Sequence, residues 1–314
     1  MLLVDKFAVG AITHSIFMQK LTITQLNGLF PQYSNIEEIA EGGFKTVYKA
    51  TLPDGIEALK VVSIPDGSVT DDHQRFRDEC IGRVEREVGI LNDCHSPYLV
   101  KVASLQLNHH TIEGNDFVTY SEEFLPGANL WDILRTATDR PSEAEVKQLM
   151  SCLLHAIKEL WNLRVIHRDI KPLNVIRLGN QDRPFVLIDL GIAFAIRETA
   201  LTFNASHRDP VATFRYIAPE QCDPRRRANL DYRTDLYAAA LTVFEFATGQ
   251  HPVARDTDDR MLTVTRALLE PPKRLEALRA DFSTPFCRLI NQLLNKRPSL
   301  RPANIDHLIQ LTES

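Results

Sequence analysis

Residues 167–174 read His167-Arg168-Asp169-Ile170-Lys171-Pro172-Leu173-Asn174, and Asp189-Leu190-Gly191 follows beyond a short polar stretch. No other part of the chain narrows the reading so far. A hydroxyl is a weak nucleophile, and a carboxylate such as Asp169 can orient it and accept its proton. Asn174 and Asp189 offer amide and carboxylate oxygens, the ligands a hard divalent cation takes. Lys171 adds a positive charge two residues from Asp169. Phosphoryl transfer asks for this kind of help, positioning and charge neutralisation rather than covalent chemistry.

Working outward, the chain changes character on either side of Pro126-Gly127. Upstream, 33–40, 46–52 and 57–62 read as strands, separated by the turn signals Glu41-Gly42-Gly43 and Pro53-Asp54-Gly55. A helix is expected over 70–92, with Phe76, Cys80, Val84, Val88 and Leu91 on one side and Ser96-Pro97 after its end. Two more strands are expected near 99–107 and 116–124. Ahead of all these, 15–29 reads as a helix with Ile16, Phe17, Leu21, Leu26 and Leu29 on one face, closed by Pro31. Downstream, helical patterns occupy 130–137, 142–163, 231–248, 258–269, 286–295 and 304–310, interrupted by short strands at 175–178 and 185–188. Strands first and helices later imply an α+β fold of two lobes with a cleft between them. The boundary falls near Leu125.

Composition narrows the class without choosing a function. The chain has 314 residues, 44% hydrophobic and 25% charged, with a formal net charge of −5. That is the mix of an ordinary globular protein, and the mild acidity gives no reason to expect a nucleic-acid or membrane partner. Five cysteines (Cys80, Cys94, Cys152, Cys222, Cys287) are scattered without a C-x-x-C pair, which suits reduced thiols in the cytoplasm. The apolar run from Phe7 to Met18 is broken by Thr13-His14-Ser15. It is too short to span a bilayer and lacks a basic start and cleavage site, so a docking or capping segment is expected. The chain ends soon after its last helical pattern, so no attached sensor domain is expected. Regulation would come from a protein partner, the first 32 residues or the segment after Asp189.

On the residues quoted, the chain resembles the eukaryotic-like (Hanks-type) Ser/Thr protein kinases. The resemblance implies a bilobal kinase fold with a β-rich N-lobe over 33–124 and a helical C-lobe over 125–314, behind an N-terminal extension over 1–32. Further matches carry it. Thr213-Phe214-Arg215-Tyr216-Ile217-Ala218-Pro219-Glu220 resembles the close of an activation segment, with Thr213 where such kinases keep a threonine that touches the catalytic Asp and Lys. Asp235 resembles the buried Asp that anchors the catalytic loop, and Arg301 the partner of Glu220. The small-molecule phosphotransferases of related architecture generally lack this closure.

The resemblance also assigns roles. Asp169 would orient the substrate hydroxyl and Lys171 would offset charge on the transferred phosphate. Asn174 and Asp189 would hold Mg²⁺. Lys60, in Glu57-Ala58-Leu59-Lys60, would pair with ATP phosphates and be held by a carboxylate from the next helix. Glu87 is chosen for that part over Glu79 and Glu85. His167 would pack behind the metal-binding segment, and Arg168 would receive a phosphate on the activation segment, placed at Thr199, Thr202 or Ser206. Gly42, Gly43, Val47, Ala58, Glu123 and Leu125 would line the nucleotide.

Departures stand beside the matches. Ala40 and Lys45 occupy the places of the first and third loop glycines. Glu122 falls at the gatekeeper position behind the adenine, where an apolar side chain is usual. A lysine partner, a protonated carboxyl and a register one residue off all stay open for it. Arg225-Arg226-Arg227 reads as a solvated loop, with recognition of an acidic substrate as the alternative. The expected activity is ATP-dependent transfer to protein Ser/Thr hydroxyls, including the chain's own activation segment. A pseudokinase serving as a nucleotide-dependent binding module and a small-molecule phosphotransferase are the alternatives.

Overall fold

The computed structural model describes residues 19–42, 44–65, 71–190, 214–222 and 230–313. The expectations at 1–18, Gly43, Gly191, Thr199, Thr202, Ser206, Thr213 and Arg225–Arg227 lie outside the described residues.

A short helix, α1 (Ile23–Leu29), leads into three strands: β1 (Asn35–Glu41), β2 (Lys45–Leu52) and β3 (Gly55–Ile64). Helix α2 (Asp71–Asp93) follows, then β4 (Asn108–Ile112) and β5 (Asn115–Glu123). The five strands form one antiparallel sheet in the order β1-β2-β3-β5-β4. Side chains alternate across it. On one face Tyr48, Leu59, Val61 and Phe117 pack with Leu21, Leu26 and Phe30 from the α1 region. On the other, Val62, Ile64, Val118 and Tyr120 pack against Phe76, Cys80, Val84 and Val88 of α2. The apolar stripe read from α2 is therefore the one buried.

Two local readings are corrected. The helix expected over 15–29 starts at Ile23 among the described residues, because Thr22 and Gln25 form a capping box. The Thr22 hydroxyl accepts from Gln25 N, and the Gln25 side chain accepts from Thr22 N. Leu21 is buried from the lead-in segment instead. The stretch 99–107 is not a regular strand. It meets its neighbours through the isolated bridges Leu99–Leu187 and Val102–Glu122, while the strand beside β5 is 108–112. The signal that was missed is Glu113-Gly114, with φ of 52° and 80°, a two-residue hairpin turn of the kind that needs left-handed backbone at both positions.

The second lobe begins with a small antiparallel sheet of β6 (Ala128–Asn129), β7 (Val175–Arg177) and β8 (Phe185–Leu187). Among the described residues its α-helices are α3 (Leu130–Thr136), α4 (Glu143–Asn162), α5 (Arg233–Thr248), α6 (Arg260–Leu269), α7 (Thr284–Leu293) and α8 (Ile305–Glu313). Every residue of α5 from Thr234 to Thr248 is buried, so this helix is the axis of the lobe rather than an amphipathic face. Gly127 marks the crossing between lobes. A Cβ there would sit 2.1 Å from the Arg177 carbonyl oxygen, so only glycine lets the two backbones pass.

Candidate active site

The cleft between the lobes has a volume of about 680 Å³. Gly42, Val47, Ala58 and Lys60 line it from the sheet, Glu87 from α2, and Asp169, Asn174 and Asp189 from the opposite lobe. Glu123 and Leu125 line its back edge.

The catalytic-loop side is built on α5. Asp235, near its start and 1% exposed, accepts the His167 amide at 2.7 Å and the Arg168 amide at 2.9 Å, one on each carboxylate oxygen. The Gln221 amide donates to the Arg168 carbonyl at 3.3 Å. These bonds hold Arg168 at a φ of 67°, a left-handed conformation that costs a non-glycine residue on the order of 1–3 kcal/mol. His167 accepts from the Asp169 amide on Nδ1, so its Nε2 carries the proton and donates to the Ile188 carbonyl at 3.3 Å. Burial pushes the His167 imidazole down to about 4, which keeps it neutral. Asp169 is thereby fixed from behind. From the front, Lys171 Nζ donates to both its oxygens, at 2.9 and 2.7 Å, and Asn174 Nδ2 donates to one of them at 3.0 Å.

Behind this loop, Arg301 makes a bidentate pair with Glu220, at 2.6 and 2.9 Å, with side chains 0% and 4% exposed. Thr234 Oγ1 donates to the same carboxylate at 3.0 Å, and Arg301 also donates to the carbonyls of Arg233 and Asn295. The remaining polar capacity of a buried pair is filled in this way, which such a pair needs to be tolerated.

The sheet side is built from charges that face one another. Lys60 Nζ lies 2.5 Å from Glu122 Oε1 and 2.6 Å from Asp189 Oδ1. Lys45 Nζ lies 2.5 Å from the same Asp189 oxygen. One oxygen from each of Glu87, Glu122 and Asp189 lies within 4.8 Å of the others, so the two ammoniums sit among three carboxyl groups. Burial opposes the charge on Lys60, but Asp189 and Glu122 outweigh it and hold the ammonium well above its ordinary value. Burial likewise opposes ionisation of Asp189, and Lys45 and Lys60 overcome it, holding the carboxyl far below the usual range. Burial raises Glu122 against the pull of Lys60, and pushes Glu87 up to about 7 against Lys45 and Lys60. Asp189 itself sits at a φ of 58°.

Glu87 thus reaches the cleft but does not hold Lys60 in this arrangement. It is 5% exposed, and its Oε1 has no hydrogen-bond partner. Besides Asp189, the carboxylate against Lys60 is that of Glu122 on β5, the strand next to β3 in the sheet, where Ala58 pairs with Glu122 across the β3–β5 ladder. Of the options open for Glu122, the lysine partner is the one found. Glu123 faces the other way and is bound by Arg183 at 2.7 Å and by the Lys101 amide at 2.9 Å. Arg183, which also donates to the Leu99 carbonyl at 3.2 Å, ties the strand end to the second lobe and carried no sequence signal.

The chain belongs to the protein kinase domain family, which matches residues 33–311. Among curated relatives, it is 29% identical over 277 residues to serine/threonine-protein kinase PknJ of Mycobacterium tuberculosis, covering 87% of this chain and 43% of that one. It is 30% identical over 280 residues to serine/threonine-protein kinase pkn3 of Myxococcus xanthus, covering 85% of this chain and 47% of that one. The chain therefore spans less than half the length of these relatives. A crystal structure of Rad53 in complex with AMP-PNP superposes with a TM-score of 0.64 at 20% identity, covering 90% of this chain and 65% of that one, a likeness of fold. The bilobal α+β architecture is that of a protein kinase.

Proposed function

We propose that this chain is a Ser/Thr protein kinase that transfers the γ-phosphoryl group of ATP to protein hydroxyls. The observation that carries the reading is convergence. Lys60 from the sheet and Asp169, Asn174 and Asp189 from the opposite lobe line one cleft, with Lys60 Nζ 2.6 Å from Asp189. A binding module has no use for this complete set. Glu220 and Arg301, paired behind the loop, belong to protein kinases rather than to small-molecule phosphotransferases. Relatives named as serine/threonine-protein kinases, PknJ and pkn3, support the substrate class.

In this reading Asp169 orients the incoming hydroxyl and takes its proton late, when the oxygen–phosphorus bond is largely formed. Lys171, already 2.7 Å from Asp169, sits beside the transferred group and offsets its charge. The adenine lies along Val47, Ala58 and Leu125 beneath Gly42, beside the backbone at Glu123. The donor set of Asn174 and Asp189, an amide and a carboxylate, fits Mg²⁺, which takes few protein oxygens and keeps water and phosphate oxygens. Bound there, it would neutralise charge on the nucleotide phosphates. Glu87 is left in reserve, buried beside Lys60 with an unsatisfied oxygen, and comes to Lys60 only if α2 shifts toward it.

The remaining parts are a protein partner for regulation, autophosphorylation at Thr199, Thr202 or Ser206 with Arg168 receiving the phosphate, and a cytoplasmic location. All five cysteines are free thiols, which supports the last. No helix among the described residues is long and apolar enough to cross a membrane. The test is a labelled-ATP assay of the wild type beside Asp169→Ala, with phosphoamino-acid analysis of the products. Phosphoserine or phosphothreonine made by the wild type and lost in the variant is expected. Equal labelling in both, or label on phosphotyrosine alone, counts against the proposal.

A further inference from the structure

Lys45 stands where the third glycine of the nucleotide loop is expected, yet its side chain is no passive filler. Its reach follows from register. Across the β2–β3 ladder Lys45 pairs with Val62 and Val47 with Lys60. Lys45 and Lys60 are therefore diagonal neighbours, and Lys45, Val47, Lys60 and Val62 all line the cleft. Diagonal neighbours across an antiparallel pair lie about 7–8 Å apart at the backbone, close enough for two long side chains to meet at one point. They meet at Asp189 Oδ1, at 2.5 and 2.6 Å.

The two lysines are not equivalent there. Lys60 has a second carboxylate, Glu122 at 2.5 Å, and the side chains of that pair are 4% and 3% exposed. For Lys45, Asp189 is the sole ion-pair partner among the described residues, and its side chain is 18% exposed. Once Asp189 is engaged by a cation carried with the nucleotide, both ammoniums lose it. Lys60 keeps Glu122. Lys45 is left as an ammonium on the cleft wall with no ion-pair partner among the described residues, next to the loop under which the phosphates would lie. A lysine there meets phosphate oxygens as a mobile point charge.

We propose that Lys45 is a phosphate-contacting residue, and that it supplies the larger part of the charge neutralisation on the triphosphate because Glu122 restrains Lys60. The proposal rests on the ATP-using reading above and names which cation serves it.

The test is equilibrium titration of the full chain with ATP and with adenosine, both with magnesium present. The proteins are wild type, Lys45→Ala, Lys60→Ala and the double variant Lys45→Ala/Glu122→Gln. In Lys45→Ala, ATP affinity falls tenfold or more while adenosine, which has no phosphates, binds within twofold of wild type. Lys60→Ala loses less than Lys45→Ala. The double variant regains threefold or more over Lys45→Ala, because Lys60 is released from its carboxylate. Unchanged ATP affinity in Lys45→Ala overturns the proposal. So does an equal loss for ATP and adenosine, which marks a structural part for the side chain. A larger loss in Lys60→Ala, or no recovery in the double variant, overturns the division of labour between the lysines. These readings need no turnover. A wild type that binds ATP but transfers no phosphate fails the kinase reading alone.

Discussion

The two walls of the cleft are held in opposite ways. On the helical wall, the groups that position Asp169 are occupied by the protein itself. Asp235 is saturated by two main-chain amides, and Glu220 by Arg301 and Thr234. No ligand needs to displace any of them. On the sheet wall, Lys45, Lys60 and Glu122 are satisfied by one another and by Asp189 reaching across from the opposite lobe, and Glu87 lies beside them with an unpaired oxygen. In the proposed reading, bound phosphate and metal would take that arrangement apart. One wall would then be a scaffold set before substrate arrives, the other a balance of charges that substrate resets. Substitutions on the first should act on stability or on chemistry, and those on the second on nucleotide affinity.

The sharpest separation is expected at Asp169, which in the proposed reading orients the substrate hydroxyl from the scaffolded wall. Asp169→Ala should lower phosphotransfer by about 10³-fold or more while leaving ATP affinity within a fewfold, read by turnover and titration on one preparation. A matching loss in affinity would erase the contrast between the walls. Next comes the buried pair behind the loop. Glu220→Ala or Arg301→Ala should each cost about 3–5 kcal/mol in chemical denaturation, because either leaves an uncompensated buried charge. Replacing both with apolar residues should recover much of that. A cost below about 1 kcal/mol for the single variants would mean that the pair is not load on the scaffold.

A smaller effect is expected at Asp235. Asn in its place keeps one acceptor and turns an NH₂ toward the second main-chain amide, costing on the order of 2 kcal/mol. Because one of His167 and Arg168 then loses its tether, turnover should fall more than ATP affinity. Equal falls in the two would place Asp235 on the wrong side of the comparison. The last effect is a slope, smallest near neutral pH. His251 is buried, accepts the Ala254 amide at 2.8 Å, and is pushed down to about 3 by burial and then by Arg215. Its folded value lies below its unfolded one of about 6.5, so the unfolded chain binds the extra proton. Stability from this group is full above about pH 6.5 and is lost as pH falls toward 3. The wild type should lose about 1.4 kcal/mol per pH unit relative to His251→Gln in that window. A difference that stays flat with pH would show that the site is open to water.

The same contrast governs what could be read from residues alone. The scaffolded wall repeats residue types at set spacings, because each part answers to a main-chain group or a fixed partner. His167-Arg168-Asp169, Asp235, Glu220 and Arg301 could therefore be placed before any coordinates. The helices expected in the second lobe begin and end within about three residues of the observed ones, the fully buried α5 included although it has no apolar stripe. The charge-balanced wall was only half legible. Lys60, Glu122 and Lys45 each stand out in the sequence, the last two as departures, but their meeting depends on cross-strand register. A one-residue shift would turn Glu122 away from Lys60 and bring Glu123 in. Glu87 was the natural choice for the partner of Lys60 by helix position, and the β3–β5 ladder supplied Glu122 instead. Arg183 and the Glu113-Gly114 turn are not legible in the sequence, because a lone arginine in a polar loop and a Glu-Gly dipeptide are weak signals without a fold around them.

The most direct measurement of whether the two walls close on one nucleotide is the magnesium dependence of ATP binding in the wild type and in Asp189→Asn. Magnesium should tighten ATP binding at least tenfold in the wild type, and that gain should vanish in the variant. An equal gain in both proteins would mean that Asp189 does not hold a metal on the nucleotide, and the convergence of charges in the cleft would have to serve something else.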